Sequence, residues 1–290
     1  MPIKQKLTAY SHLIRLNKPI GIFLLLWPTL WALLIASEGK PDLTILIVFI
    51  LGVFLMRSAG CAINDYADQK FDADVERTRN RPMVTGNVSS LEAISIFLIL
   101  SLIAFFLVVF FLNKLTLMFS LVAVVLAASY PFTKRLHYLP QVHLGLAFAW
   151  AVPMVFVAHT SAFPPQWGWL LFIATLIWTT AYDTIYGMVD RKDDVRIGVK
   201  STAILFGPAD RTIIAILQTF VILALISVGT QTDLRYWYFC SLALAALLFF
   251  YQQILIYSRR PFDCFDAFLN NNYVGLVIFI GIAASYWLPI

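Results

Sequence analysis

The chain has 290 residues, 60% of them hydrophobic and only 13% charged, with a mean hydropathy of +0.81. No soluble domain looks like this, and a bilayer core of roughly 30 Å, crossed by about 20 apolar helical residues at a time, leaves room for around nine or ten crossings. The net charge of +5 then reports orientation in a membrane rather than affinity for nucleic acid, so no nucleic-acid partner is expected.

Helices are the default, because lipid cannot satisfy a backbone polar group and the long continuous apolar runs lack the alternation of a β-barrel. Residues 1–18, MPIKQKLTAYSHLIRLNK, read as an amphipathic, basic cytoplasmic segment. They contain no short apolar core leading to a small-residue cleavage site. The first predicted span, Ile20–Ser37, holds Pro28, which should bend it, and Trp27 and Trp31, whose rings suit an interface anchor or a cavity wall. The second, Leu43–Ile63, carries Arg57 well inside it. A charge there costs ~2.5–3.5 kcal/mol, so it needs a partner, either a substrate anion or a structural counter-ion.

Directly after this span comes NDYADQKFDADVERTRNR, Asn64–Arg81. If the helix continues past Ile63, Asn64, Asp68 and Asp72 stand at i, i+4 and i+8 and line one stripe, with Arg57 two turns earlier on nearly the same face. Spans at Leu91–Leu112 and Leu115–Phe132 follow, joined by a turn at Asn113, then SYPFTKRLHYLP, a fifth span at Val142–His159 and a sixth at Trp167–Val189. The sixth runs into YDTIYGMVDRKDDVRIGVKS, Tyr182–Ser201. There Asp190 and Asp194 repeat the spacing of Asp68 and Asp72, with Asp183 two turns upstream on roughly the same face. Spans at Arg211–Gly229, Tyr236–Tyr257 and Asn270–Leu288 bring the number to nine in one membrane-embedded domain covering residues 1–290. Cys61, Cys240 and Cys264 lie in or beside apolar runs and read as buried thiols.

Lys and Arg crowd alternate connections: Lys4 to Lys18, Lys70 to Arg81, Lys134 and Arg135, Arg191 to Arg211, and Arg259 and Arg260, against Lys40, Lys114 and Arg235 on the other side. That places the N-terminus and both acidic segments on the cytoplasmic face. With no Arg-rich, acid-poor transit segment before the first span, a bacterial cytoplasmic membrane is the expected location.

Nine of the sixteen acidic residues fall within Asp65–Glu76 and Asp183–Asp194. Two carboxylates ~6 Å apart at an effective dielectric near 20 repel by about 2.8 kcal/mol, so facing segments need a cation. Oxygen donors without clustered His or Cys select a hard ion such as Mg²⁺, which leaves positions for substrate phosphates. Asn64, Asp68, Asp72, Asp190 and Asp194 are the candidate metal ligands, with Asp183 in support. Arg77, Arg81 and Lys200 are candidates for the remaining phosphate oxygens. Acid, metal and base opening into an apolar bundle describe a site for a diphosphate with a long hydrocarbon tail. Solvated loops with internal ion pairs are the plainer alternative.

NDYADQKFD matches the NDxxDxxxD signature of the UbiA prenyltransferase superfamily, and DRKDD after YDTIYGMV resembles its second aspartate motif, with Lys192 where an acid is often seen. KPIGIFLLLWPTLWALL, RTRNRP, YPFTKR, IGVKSTAILFG and NNNYVGL are similar to the branch that prenylates 4-hydroxybenzoate. The resemblance runs from about Lys18 to the C-terminus. It implies nine helices around a central cavity, capped by the two motifs, and Mg²⁺-dependent transfer of a polyprenyl group from its diphosphate to an aromatic ring carbon in ubiquinone biosynthesis. It implies catalytic roles for Asp68, Asp72, Asp190 and Asp194, and for Arg135 at the cavity mouth. Arg57 would bind the acceptor carboxylate. Alternative acceptors are a naphthoate, homogentisate or haem. A membrane transporter also fits duplicated polar motifs among helices, although carriers hold their sites near the midplane rather than at the membrane edge.

Overall fold

The computed structural model describes residues 2–288, and among them every regular element is helical. α1 (Ile3–Leu13) lies ahead of α2 (Ile20–Ala36), α3 (Leu43–Asp72), α4 (Ser90–Phe111) and α5 (Lys114–Leu136). α6 (Pro140–Ala149), α7 (Ala151–Thr160), α8 (Gln166–Ile197), the short α9 (Thr202–Phe206), α10 (Asp210–Gln231), α11 (Tyr236–Leu255) and α12 (Pro261–Trp287) complete the chain. Among the described residues, seven segments are long and apolar enough to cross a membrane: α3, α4, α5, α6 with α7, α9 with α10, α11 with the turn after it, and α12. The other two expected spans correspond to α2, apolar but only 17 residues long, and to α8, 32 residues with a charged last third.

Both acidic segments are more helical than loops would be. α3 runs nine residues beyond the expected end at Ile63, to Asp72, so the stripe of Asn64, Asp68 and Asp72 exists. α8 runs past Val189 to Ile197 and ends at Gly198, whose φ of 74° is a left-handed stop that glycine adopts without a Cβ penalty. The fifth expected span is two helices meeting at Trp150. Pro153 has no N–H to donate to the Ala149 carbonyl, so the ladder breaks one turn before it. α2 continues through Pro28.

α2, α7, α8, α10, α11 and α12 share one apolar core. By contrast, the most apolar stretch of α4 is only 17% buried within the protein, against 50% for α12. Its exposed Leu98, Ile99, Leu102 and Phe110 need hydrocarbon, not water, beside them. Three consecutive asparagines tie the core together. Successive helical positions point about 100° apart, and each residue meets a different neighbour. Asn270 Oδ1 accepts from Gln252 of α11 at 2.9 Å, Asn271 Oδ1 from Trp178 of α8 at 2.9 Å, and Asn272 Oδ1 from Trp27 of α2 at 2.9 Å. Trp31 donates to the Gly275 carbonyl at 3.0 Å and stacks on Trp178. Trp27 and Trp31 are therefore helix-to-helix fasteners, neither interface anchors nor cavity walls. Cys61 and Cys264 are buried, whereas Cys240 is exposed.

Candidate active site

The last turns of α3 carry three carboxylates inward. Asp65 and Asp68 are 0% and 2% exposed and Asp72 is 6% exposed, burial that carboxylates tolerate only when paired. Arg15, in the link between α1 and α2, grips Asp65 at 2.6 Å. Arg81 reaches both Asp72 at 2.6 Å and Asp65 at 3.1 Å. Lys134, near the end of α5, pairs with Asp68. The segment after α3 folds back over these acids, pinned by Thr78 Oγ1 donating to the Asp72 carbonyl at 2.8 Å.

The charged end of α8 arrives at the same place. Arg77, from the segment after α3, pairs with Asp190 and lies over the Tyr186 ring, 4.3 Å from its centre. Arg196 donates to the Asp74 carbonyl. The two acidic segments thus face one another and are joined by two arginines. Asp194 lies in the part of α8 beyond the predicted span. Burial, reinforced by the neighbouring charge of Asp190, pushes its carboxyl up to about 7.

Below them opens a cavity of about 490 Å³. Of the sequence-predicted residues, Arg57, Asn64, Arg77, Arg81 and Asp183 line it, while apolar side chains of α3, α4 and α5 supply much of its wall. Arg57 lies within it beside Cys61 and the Phe148 ring. Its Nε is buried without a hydrogen-bond partner. Space for the guanidinium comes from Gly21: a Cβ there would stand 2.4 Å from Arg57 Nε and Nη2. A cation held in an apolar wall with a spare donor is suited to an incoming anion.

Asp68, Asp72, Asp190 and Asp194 stand behind the cavity surface rather than on it, the first three engaged by Lys134, Arg81 and Arg77. Two expected residues go elsewhere. Arg135 donates to the Ala67 carbonyl between the Phe71 and Phe132 rings. Lys200 donates to the Leu136 carbonyl at 3.0 Å beside Tyr138. Lys134 rather than Arg135 meets the acids: adjacent helical residues point about 100° apart, so the two reach α3 at different places, Lys134 at the Asp68 carboxylate and Arg135 at the Ala67 carbonyl. Arg15, Asp65, Tyr130 and Tyr186 also line the cavity. The signal for Asp65 was present, as the second letter of NDYADQKFD, but a stripe drawn at i+4 passes over it.

Among the described residues no three His, Cys, Asp or Glu side chains converge closely enough to hold a metal ion together. The expected five-donor shell is not assembled, since ammonium and guanidinium groups neutralise the carboxylates in its stead. The donor chemistry nevertheless suits a hard cation: every candidate ligand is an oxygen. Asp68 Oδ1 is buried with no hydrogen-bond partner, an acceptor that a cation would satisfy.

The sequence model of the UbiA prenyltransferase family matches residues 25–279. The chain is 55% identical over 280 residues to the 4-hydroxybenzoate octaprenyltransferase of Alkalilimnicola ehrlichii, covering 97% of this chain and 95% of that one. With the protein of the same name from Nitrosococcus oceani it shares 56% identity over 284 residues, 98% of this chain and 99% of that one. Its structure is similar to that of a UbiA homologue from Aeropyrum pernix K1, with a TM-score of 0.79 and 29% identity over 90% of this chain and 96% of that one. It also shares its fold with a UbiA homologue from Archaeoglobus fulgidus bound to GPP and Mg²⁺, with a TM-score of 0.74 and 16% identity over 96% of this chain and 99% of that one.

Proposed function

This chain belongs to the UbiA prenyltransferase family, and we propose that it transfers a polyprenyl group from polyprenyl diphosphate to 4-hydroxybenzoate. The bond forms at the ring carbon ortho to the hydroxyl and gives 3-polyprenyl-4-hydroxybenzoate for ubiquinone biosynthesis. The observation that carries this reading is the meeting of both acidic segments, through Arg77 and Asp190, over one largely apolar cavity. The near-full-length identity to 4-hydroxybenzoate octaprenyltransferases supports the choice of acceptor.

Arg77 and Arg81, both on the cavity wall, hold phosphate oxygens with their planar guanidinium forks. In doing so they let go of Asp190 and Asp72, and Lys134 likewise turns from Asp68 toward the diphosphate. Mg²⁺, held by Asn64, Asp68, Asp72, Asp190 and Asp194 with Asp183 in support, supplies charge stabilisation for the departing diphosphate. Arg57 binds the acceptor carboxylate and directs the ortho carbon toward the allylic carbon. The C–O bond to diphosphate breaks with its electron pair leaving on the diphosphate, the ortho carbon bonds to the allylic cation so formed, and the proton of that ring carbon then leaves. The apolar walls exclude water, which would otherwise capture the allylic cation as an alcohol. Lys200 and Arg135 are left to brace the α5 end of the site. The enzyme works in a bacterial cytoplasmic membrane with its N-terminus and acidic segments facing the cytoplasm, the side richer in Lys and Arg.

The test is mass analysis of products formed by the purified protein from radiolabelled 4-hydroxybenzoate and a mixture of prenyl diphosphates, with Mg²⁺ or EDTA. Prenylated 4-hydroxybenzoate in the Mg²⁺ arm alone is expected. Its absence, or preferential labelling of a naphthoate, homogentisate or haem offered in parallel, overturns the assignment. Movement of substrate across vesicles without covalent product would point to a carrier.

A further inference from the structure

Outside the cavity, a further carboxylate is buried as completely as those of the site. Asp210, the first residue of α10, is 0% exposed. Its oxygens accept from Arg259 Nε at 3.1 Å and Nη2 at 2.8 Å, from the Arg211 backbone N–H at 2.6 Å, and from Arg191 Nη2. Arg259 occupies the link between α11 and α12 with a left-handed φ of 53°, an unfavourable conformation for an arginine. Its Nη2 also donates to the Pro208 carbonyl at 2.9 Å. The Asp210 carboxylate is therefore fixed from the α12 side, and Arg191 is the partner that comes from elsewhere.

Arg191 follows Asp190 directly and precedes Asp194 by three positions on α8, a spacing at which helical side chains meet. Among the described residues Asp194 has no ion-pair partner, and Arg191 Nε is buried without a hydrogen-bond partner. A guanidinium with one donor unpartnered, about one helical turn from a carboxylate that has no ion-pair partner, would turn to it if released.

We propose that Asp210 is a positioning residue for the second acidic segment, holding Arg191 away from Asp194 so that this carboxylate remains open to a divalent cation. The device acts from behind the ligands, and it rests on the prenyl-transfer reading of the site. A single carboxylate shared by two guanidiniums serves this purpose well: Arg259 keeps Asp210 from following Arg191 toward α8.

The experiment is a Mn²⁺ titration of the purified full-length protein in detergent, followed by the electron paramagnetic resonance of free Mn²⁺. Chromatographic monodispersity and thermal unfolding serve as fold controls. Asp210→Asn is expected to weaken Mn²⁺ binding by about tenfold, the usual effect of losing a group that orients metal ligands. The double variant Arg191→Met/Asp210→Asn should return it to within about twofold of the parent, because the competing cation has gone with its keeper. Unchanged binding in Asp210→Asn, or binding that stays weak in the double variant, overturns the proposal. Arg191→Met alone leaves Asp210 paired with Arg259 and should bind Mn²⁺ at least as tightly as the parent. A tenfold loss there overturns the proposal even if Asp210→Asn does not fold. A parent that binds no Mn²⁺ removes the proposed function and this inference together, whereas a binding parent with an unaffected Asp210→Asn removes the inference alone.

Discussion

Arg77 and Asp190 form an ion pair across 113 positions of sequence, and that pair is what turns two separate acidic segments into one site. Asp68→Ala and Asp190→Ala should each lower prenylation in purified membranes by about 10²–10³-fold with Mg²⁺ supplied, the loss expected when charge stabilisation of a leaving group is removed. Near-normal turnover in either variant would take the aspartates out of the mechanism.

Arg57 and Gly21 form a second testable unit. Arg57→Ala should raise KM for 4-hydroxybenzoate by about 10–100-fold, matching the ~1.5–3 kcal/mol of a charged hydrogen bond, and alter KM for the prenyl diphosphate far less. Gly21→Ala puts a methyl where the guanidinium lies, 2.4 Å from Nε, and should show the same pattern more weakly. Equal changes in both KM values would argue against carboxylate recognition at Arg57.

Lys134 and Arg135 are neighbours with different partners, a buried carboxylate for the first and a backbone carbonyl for the second. Steady-state kinetics should therefore separate them. Lys134→Ala is expected to raise KM for the diphosphate by about tenfold, while Arg135→Ala shifts it by less than about threefold. The reverse order would restore the role that YPFTKR suggested for Arg135.

The pH dependence of metal activation follows from Asp194. Because burial and Asp190 raise its carboxyl to about 7, it is mostly protonated at pH 6 and mostly ionised at pH 8. A cation must displace that proton in the acidic range and finds no proton in the alkaline one. The Mg²⁺ concentration for half-maximal turnover should rise by about tenfold from pH 8 to pH 6, and Asp194→Asn should flatten the profile. A requirement independent of pH in the parent would remove Asp194 from the metal site.

Composition and the lengths of the apolar runs were enough to specify a helical membrane protein, because a bilayer core demands both regardless of tertiary detail. The i, i+4, i+8 spacing likewise placed Asn64, Asp68 and Asp72 on one stripe, a local property of helix geometry, and the recurrence of that spacing after Tyr182 marked the second half of the site. Local geometry could not say which base faces which acid. Lys134 or Arg135 to Asp68, Arg77 to Asp190 and Arg191 to Asp210 are choices among residues of the same charge, decided by how α5, α8 and α10 rotate and pack against their neighbours. Tertiary packing also determined that Trp27 and Trp31 fasten α2 to α12 rather than face lipid, since an indole has one donor and the carbonyl or amide that takes it lies far away in sequence.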